Sequence, residues 1–413
     1  MTDISNEPDE SRLDVVVDTA QPSWNRALVV GLAVYAVSRL CVIAGTAVRA
    51  AQLAVDARAD DEAVPGAGSV ISEVLTSWDG RWYLEIVRGG YPSQVPPNIT
   101  YEQLEARAAF FPVYPWLVRV VDAVLPGGDT FAALFVNFVL GAVSVVLVGL
   151  LARRLYGVNV AARAMTLYAI FPGSVVLSFA YSEATLIVLA AACMLFLLDE
   201  RWVLAGLTAM VATATRHDGD AVGAACAVAS FLAIRRSRQW ASLVSVVLAP
   251  LGFVFFQWYV GAKAGEAGVW FRVQREAWAE GTSFGATAVT NTIGFFTSPL
   301  SSPTDALTAL TMIALVGMSW CAWKVRLAWP LVAFCVVIVG LMLLPETVTA
   351  RPRFLFTAFP LFIAVAAWWP EPEAEDDHRR ASWEYAGWDV TLVACGAGLA
   401  ALTGLFAVFG VIP

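Results

Sequence analysis

Long apolar runs limit what this chain can fold into more than any other feature. Of its 413 residues, 59% are hydrophobic and only 15% are charged, whereas soluble domains have roughly 25% charged residues. About 20 apolar residues in an α-helix cross a bilayer core of about 30 Å. The sequence therefore predicts an all-α, multi-pass membrane protein. Its eleven candidate spans are residues 27–47, 130–151, 163–180, 183–198, 202–215, 220–234, 240–260, 304–323, 327–344, 353–369 and 389–411.

The N-terminal segment differs from the rest of the chain. Residues 1–24 are acidic and weakly hydrophobic, which is typical of a disordered tail, and this leaves residues 25–413 as the transmembrane domain. The sequence shows no basic arm of the kind that would bind nucleic acid, so nucleic acid is not an expected partner. The six cysteines all lie in apolar runs, without the spacing of disulfides or of a metal site.

Basic residues in short loops predict the orientation of the spans, since they favour the cytoplasmic side. Alternating spans bring the basic loops to one side; these contain Arg153, Arg154 and Arg163, then Arg235, Arg236 and Arg238, then Lys324 and Arg326, and finally Arg379 and Arg380 in the acidic loop 370–388. The tail then lies inside as well. We expect a plasma-membrane protein whose unusual polar motifs, beginning in the loop 48–130, face the extracytoplasmic side.

That first outer loop contains the densest polar and aromatic cluster, "SWDGRWYLEIVRGGYP" (77–92). The following stretch, "YEQLEARAAFFPVYPWLVRVVDAVL", repeats apolar residues at roughly helical spacing. This pattern predicts one or two amphipathic helices in the membrane interface, a depth that tryptophan and tyrosine also favour.

Five motifs in order resemble one family. "WDGRWYLEIVRGGYP" with "AFFPVYP", then "FAYSEA", "TRHDG", "FRVQREAW" and "RPRFLFTAFPLF", resemble the motifs of PIG-V-like mannosyltransferases in the GT-C superfamily. The likeness covers residues 77 to 366. It departs from the family pattern at Asp218, where asparagine is usual, and at Phe354, where tyrosine is common.

The resemblance implies a GT-C-type bundle and an inverting transfer of mannose. The donor would be a polyprenyl phosphate-linked mannose, and the acceptor an outward-facing glycolipid or glycan, with membrane lipids around the protein. It also implies that Asp79 is the catalytic base. Glycosidases pair two carboxyl groups because one must protonate a poor leaving group. A lipid phosphate leaves readily, so a single base for the acceptor hydroxyl is enough. Alternatively, Asp79 only caps the following helix.

The neighbours of Asp79 have two interpretations each. Trp78, Trp82 and Tyr83 either stack on sugar rings or anchor the loop at the interface. If the segment is helical, Tyr83 lies one turn after Asp79. Arg81 and Arg88 contact either the donor phosphate or lipid headgroups.

Arg351 and Arg353 flank Pro352, which favours extended backbone before it. In an extended chain residues two apart share a face, so we expect a cationic patch that binds phosphate by bidentate hydrogen bonds. The alternative is an exposed turn at the membrane surface.

Further polar residues belong to the other motifs. A carboxylate near lipid is costly, so Glu183 is expected to orient the acceptor, to pair with Arg216 or to cap its helix. Arg216, His217 and Asp218 form either a substrate contact or a helix-ending turn. The resemblance assigns Gln274 and Trp278 to a substrate-contacting loop.

No cofactor is expected. The two histidines fall on opposite predicted sides, which argues against zinc, although Asp79, Glu183 and Asp218 offer the oxygen ligands that suit magnesium or manganese. Two other functions stay open. One is the same chemistry with a different polyprenyl-linked sugar, and the other is a transporter or flippase, for which charged residues at mid-membrane and repeated halves would be typical.

Overall fold

The protein is described by a computed structural model over residues 23–279, 281–299, 301–370 and 378–408, with backbone only for 378–385. Residues 1–22 of the expected tail and 371–377 of the acidic loop lie outside this part. Within it the chain is helical, without a strand. The helices are α1 (Trp24–Ala59), α2 (Ala67–Leu75), α3 (Asp79–Gly89), α4 (Val113–Asp122), α5 (Gly128–Tyr156), α6 (Val158–Ile170), α7 (Glu183–Leu198), α8 (Trp202–Thr213), α9 (Asp220–Ser237), α10 (Leu243–Leu248), α11 (Leu251–Ala264), α12 (Val269–Ala277), α13 (Ala286–Thr297), α14 (Pro303–Lys324), α15 (Trp329–Leu343), α16 (Pro352–Thr357), α17 (Pro360–Trp368) and α18 (His378–Ala407).

Five helical stretches are long and apolar enough to cross a membrane. They are α1, α5, the run 240–264 that contains α10 and α11, α14, and Ala386–Ala407 of α18. Four shorter apolar helices, α6, α7, α8 and α15, lie among them. The all-α polytopic architecture is confirmed, whereas the number of eleven spans stays a prediction.

Two predicted loops are more helical than expected. Helix α1 continues past the predicted end at residue 47 to Ala59, because the segment Arg49–Ala59 is rich in alanine, the strongest helix former. In the first loop, the stretch 101–125 contains the 3₁₀ helix Leu104–Ala109 and α4, in agreement with the one or two helices expected there, and α2 and α3 precede them. The predicted loop 261–303 contains α12 and α13.

Three predicted spans are divided at a proline. In 240–260 the backbone stays helical at Pro250 between α10 and α11, whereas non-helical backbone at Phe171 and Ala358 interrupts the other two. The run 163–180 ends as α6 at Ile170 and continues as a 3₁₀ helix, Pro172–Leu177. The run 353–369 divides into α16 and α17, with Pro360 as the first residue of the second helix. Proline lacks the donor that a continuous helix needs and disfavours helical backbone before it. The two broken segments pack against each other, so their irregular backbone is buried in protein, as the membrane requires.

A large apolar core runs through the bundle and a smaller one lies under the first loop. The smaller core brings Trp82 and Tyr83 of α3, Phe111 and Tyr114 around the start of α4, and Phe256 of α11 together. The α3–α4 segment is thereby fixed on the bundle, and the residues at the start of α3 are held in place.

Gly173 provides a test of the contact between the broken segments. A Cβ at this position would clash with the carbonyl oxygen of Pro352 and lie 2.7 Å from Cβ of Phe356. Because backbone cannot yield as a side-chain tip does, we expect Gly173→Ala to lower the free energy of unfolding by about 1–3 kcal/mol. Thermal unfolding in detergent measures this. Gly317→Ala, where a Cβ meets nothing within 4 Å, is the control, and equal stability of the two variants would contradict the packing.

Candidate active site

A pocket of about 460 Å³ lies where the first loop meets the C-terminal half of the chain. It gathers side chains from parts of the sequence that are far apart. The predicted site residues that line it are Trp78, Asp79, Tyr83, Arg216, His217, Asp218, Gln274 and Arg353, together with Trp278.

Asp79 is the first residue of α3, and its carboxylate contacts a residue near the C-terminal end of the sequence. Its Oδ2 accepts a hydrogen bond from Nη1 of Arg353 at 3.1 Å. The N-cap position belongs to Trp78, so Asp79 is not the N-cap residue that the alternative interpretation required. Trp78 has φ of 55° and ψ of −121°, a conformation that is strained for a bulky residue. Such strain tends to persist at functional sites.

Arg353 and Arg351 occupy different environments. Arg353 is buried, and its guanidinium lies over the rings of Phe354 and Tyr181, at 4.7 Å and 5.7 Å from the ring centroids. Nη1 of Arg351 instead donates to Oγ1 of Thr308 at 2.8 Å, and Arg351 does not line the pocket. The expectation that both arginines share one face of an extended segment is wrong, because the backbone is extended at Arg351 but α16 begins at Pro352. Of these two arginines, only Arg353 lines the pocket.

Arg216 lies between two carboxylates. Its Nη1 is 3.0 Å from Oε1 of Glu183, and its Nε donates to Oδ1 of Asp218 at 2.9 Å. The side chains of Arg216 and Glu183 are only 9% and 1% exposed. Burial alone would raise the pKa of Asp218, but the charge and hydrogen bond of Arg216 outweigh it and the pKa is lowered. Asp218 is therefore ionised, and Arg216 carries its positive charge.

A second contact connects this group to α3. The hydroxyls of Tyr83 and Ser182 lie 2.5 Å apart, and Nη1 of Arg216 donates to Oγ of Ser182 at 3.4 Å. Tyr83 follows Asp79 by one helical turn, as expected from a helical segment. Ser182 precedes α7, whose first residue is Glu183. The pocket therefore has two charged groups, Asp79–Arg353 and Glu183–Arg216–Asp218, which α3 connects.

Aromatic rings also line the pocket. Tyr101 packs edge-on against Trp82 and Trp278, each at 5.4 Å between centroids, and Phe110 packs edge-on against Tyr83 at 5.1 Å. Neither Tyr101 nor Phe110 was predicted as a site residue. Its place in the "AFFPVYP" motif could have identified Phe110, whereas nothing in the sequence around Tyr101 distinguished it from other loop tyrosines.

Four expected residues lie elsewhere. Arg81 does not line the pocket; its side chain is exposed and lies 3.7 Å from a carboxylate oxygen of Glu102. Arg88 pairs with Asp129, and Trp82 is fully buried and does not line the pocket. Glu183 lies behind the lining and reaches the pocket through Arg216. His217 lines the pocket with an exposed side chain.

The carboxylates face arginines instead of each other. Among the residues that the structure describes, no group of three histidine, cysteine, aspartate or glutamate side chains is placed to hold a metal ion. The alternative of a divalent ion held by Asp79, Glu183 and Asp218 has no geometric support there. The arrangement instead offers cations toward the pocket, which suits an anionic ligand.

Comparison with known proteins identifies the fold. ArnT from Cupriavidus metallidurans, solved bound to undecaprenyl phosphate, superposes with a TM-score of 0.51 at 15% identity, over 79% of this chain and 71% of that chain. The chain has the GT-C fold. Residues 108–260 also match the family model of the dolichyl-phosphate-mannose-protein mannosyltransferases.

A second GT-C protein is more distant. The apo oligosaccharyltransferase of Archaeoglobus fulgidus gives a TM-score of 0.47 at 13% identity, over 88% of this chain and 56% of that chain. No curated protein sequence matches the chain. The expected GT-C fold is confirmed, and membership of the PIG-V-like family stays a prediction.

Removing Arg216 should be costly. Arg216→Gln leaves the buried carboxylates of Glu183 and Asp218 without a counter-charge, so we expect a loss of about 3–5 kcal/mol in the free energy of unfolding. Adding Glu183→Gln removes one of the two stranded charges and should restore part of the loss. Thermal unfolding of the single and double variants measures both.

The control is Arg154→Gln. Arg154 pairs with Asp199 at 3.6 Å on the surface, with both side chains exposed, and such pairs contribute little. Equal unfolding temperatures for Arg216→Gln and Arg154→Gln would show that the buried group is not needed for stability.

Proposed function

We propose that this protein is a membrane glycosyltransferase. It transfers a sugar, with mannose favoured, from a polyprenyl phosphate to a hydroxyl of a glycolipid or glycan on the extracytoplasmic side. The observation that carries the proposal is the pocket in which the Asp79 carboxylate pairs with Arg353 beside the buried Arg216. The GT-C fold supports it, as does the undecaprenyl phosphate bound by ArnT.

The reaction needs one base and one set of cations. The acceptor oxygen attacks the anomeric carbon while the bond from that carbon to the phosphate oxygen breaks. The electron pair leaves on the phosphate and the acceptor proton moves to Asp79. Attack opposite to the leaving group inverts the anomeric centre. The carboxylate is available because it is 22% exposed and lines the pocket.

Arg353 has two roles in this scheme. Before the donor binds, its pairing holds the Asp79 side chain in one place. A lipid phosphate in the pocket competes with Asp79 for the guanidinium, whose Nε has no hydrogen-bond partner within the described residues. Charge-assisted hydrogen bonds then strengthen as negative charge accumulates on the departing phosphate. In this scheme the same arginine orients the base before the donor binds and then binds the phosphate of the donor.

The aromatic lining suits a sugar ring. Tyr101 and Trp278 line the same pocket as the charged groups, and aromatic faces offer apolar area with polar edges. Mannose is favoured by the mannosyltransferase family model that matches residues 108–260 and by the motif resemblance.

A substrate panel tests the proposal. Purified protein is incubated with radiolabelled polyprenyl-phosphate sugars, one at a time, and a membrane lipid extract, and the labelled product is identified. We expect a new labelled glycolipid or glycan with the mannose donor. Transport of the donor across proteoliposomes without any product would favour the flippase alternative. Vesicles of opposite orientation, supplied with donor from outside, report which side holds the site.

Asp79→Asn is the sharpest test of the base. The amide keeps the size of the side chain and a hydrogen-bond acceptor for Arg353, but it cannot take the acceptor proton. We expect kcat to fall by about 10² or more, with thermal stability close to that of the unaltered protein. Turnover within a few-fold of the unaltered protein would disprove the assignment of the base.

Arg353 variants test how the phosphate is held. Because the contact strengthens in the transition state, Arg353→Ala should lower both kcat and kcat/KM for the donor, by about 10²-fold or more. Arg353→Lys should recover only part, since a lysine cannot donate two parallel hydrogen bonds. Steady-state kinetics with varied donor measures both variants.

Arg235→Ala is the matched control, because Arg235 lies at the end of α9 and does not line the pocket. It should leave donor kinetics unchanged. If Arg353→Ala behaved like Arg235→Ala, Arg216 would be the remaining buried cation of the pocket.

A further inference from the structure

Helices α14 and α15 are consecutive but hardly touch. The short turn Val325–Ala328 joins them, and neighbouring helices with so short a connection usually pack side by side. Here α14 packs on α13 and α17, whereas α15 packs on α9. A groove of about 970 Å³ remains between α14 and α15, and Leu361 of α17 also lines it.

The groove is apolar along its length and cationic at one end. Its walls include Ala322 on α14 and Val332, Val336 and Val339 on α15. Lys324 and Arg326 line it at the turn, flanked by Trp323 and Trp329. Both tryptophans are exposed, by 71% and 67%, and tryptophan is enriched where a membrane meets water.

Lys324 and Arg326 have no acidic partner among the described side chains. Within the described part of the chain, no carboxylate lies at ion-pair distance from Lys324 or Arg326. Nζ of Lys324 lies 5.4 Å and 5.3 Å from the ring centroids of Trp320 and Trp323. Cation–π contacts leave the charge unneutralised, so the end of the groove attracts an anion.

The length of the groove matches one leaflet of a bilayer. Its lining extends along α15 from Trp329 to Gly340, which is about 16 Å at about 1.5 Å per residue. Half of a hydrocarbon core of about 30 Å is about 15 Å. An acyl chain with its headgroup at the turn would therefore fill the groove.

We propose that this groove binds an anionic phospholipid of the bilayer. The acyl chain lies between α14 and α15, and the phosphate contacts Lys324 and Arg326. Basic pockets between membrane helices recognise anionic headgroups in this way. The site is separate from the catalytic pocket, because the two share no lining residue: Ile338, Leu341 and Met342 of α15 line that pocket and not the groove. The proposal does not depend on the transferase activity.

Two kinds of variant separate the headgroup from the chain. Lys324→Gln with Arg326→Gln removes the charges and keeps the groove. Gly340→Leu fills the groove and keeps the charges, since a Cβ at Gly340 meets nothing within 4 Å and leucine suits a helix better than glycine. The matched controls are Arg235→Gln with Arg236→Gln, and Gly317→Leu, which also has open space but does not line the groove.

Native mass spectrometry of the full chain in detergent, with phosphatidylglycerol or phosphatidylcholine added, tests the proposal. We expect phosphatidylglycerol to be retained in preference to phosphatidylcholine, and the charge variant to weaken its binding about tenfold or more. Gly340→Leu should also lose the lipid, while both controls keep it. Thermal unfolding verifies that each variant is folded.

Several outcomes would overturn the proposal. One is equal retention of the two lipids, and another is binding by both groove variants as strong as by the controls. A third is a dimer that dissociates on Gly340→Leu, which would make a second copy of the chain the occupant.

Discussion

The contact between Arg216 and Glu183 is the constraint on which the site depends. A charge buried among apolar helices is tolerated when it is paired, and Arg216 is the ion-pair partner of Glu183, so Arg216 cannot move without stranding Glu183. Their pairing fixes the start of α7 relative to the turn before α9. Through Ser182 and Tyr83 it also fixes α3, and hence the direction of Asp79.

The same constraint explains why irregular backbone is found here. The 3₁₀ segment Pro172–Leu177 and the short helix α16 pack together, and Arg353 approaches Asp79 from α16. A continuous helix would carry Arg353 past the pocket instead of ending beside it. The prolines thus interrupt two apolar runs at the place where charged side chains must converge.

Paired charges in the pocket bear on the proposed chemistry. Asp79 is held by Arg353, and Glu183 and Asp218 lie on either side of Arg216. In the proposed scheme a proton passes to Asp79 as the phosphate departs, which frees the Arg353 guanidinium for the leaving group. Proton transfer and release of the leaving group therefore support each other.

Local rules in the sequence were enough for some parts of this site. Tyr83 one turn after Asp79 follows from helical periodicity, and the pairing of Glu183 with Arg216 was one of three expectations for an acid near lipid. The different roles of Arg351 and Arg353 could not be predicted. No local pattern shows that a helix starts at Pro352 or that the Arg351 side chain contacts Thr308. Tyr101 was missed because its place in the pocket depends on packing against Trp82 and Trp278. The end of α1 was predicted too early, because hydrophobicity falls after residue 47 although the alanine-rich segment stays helical to Ala59.

The partner of Asp79 is 274 residues further along the chain. During synthesis, α3 reaches the membrane long before α16 exists, and its carboxylate must wait in the headgroup region without its guanidinium. Water can satisfy a carboxylate there, whereas the apolar core of the bundle cannot. The candidate pocket is therefore completed only after α16 has been made, and the contact that holds the Asp79 side chain forms late in the synthesis of the chain.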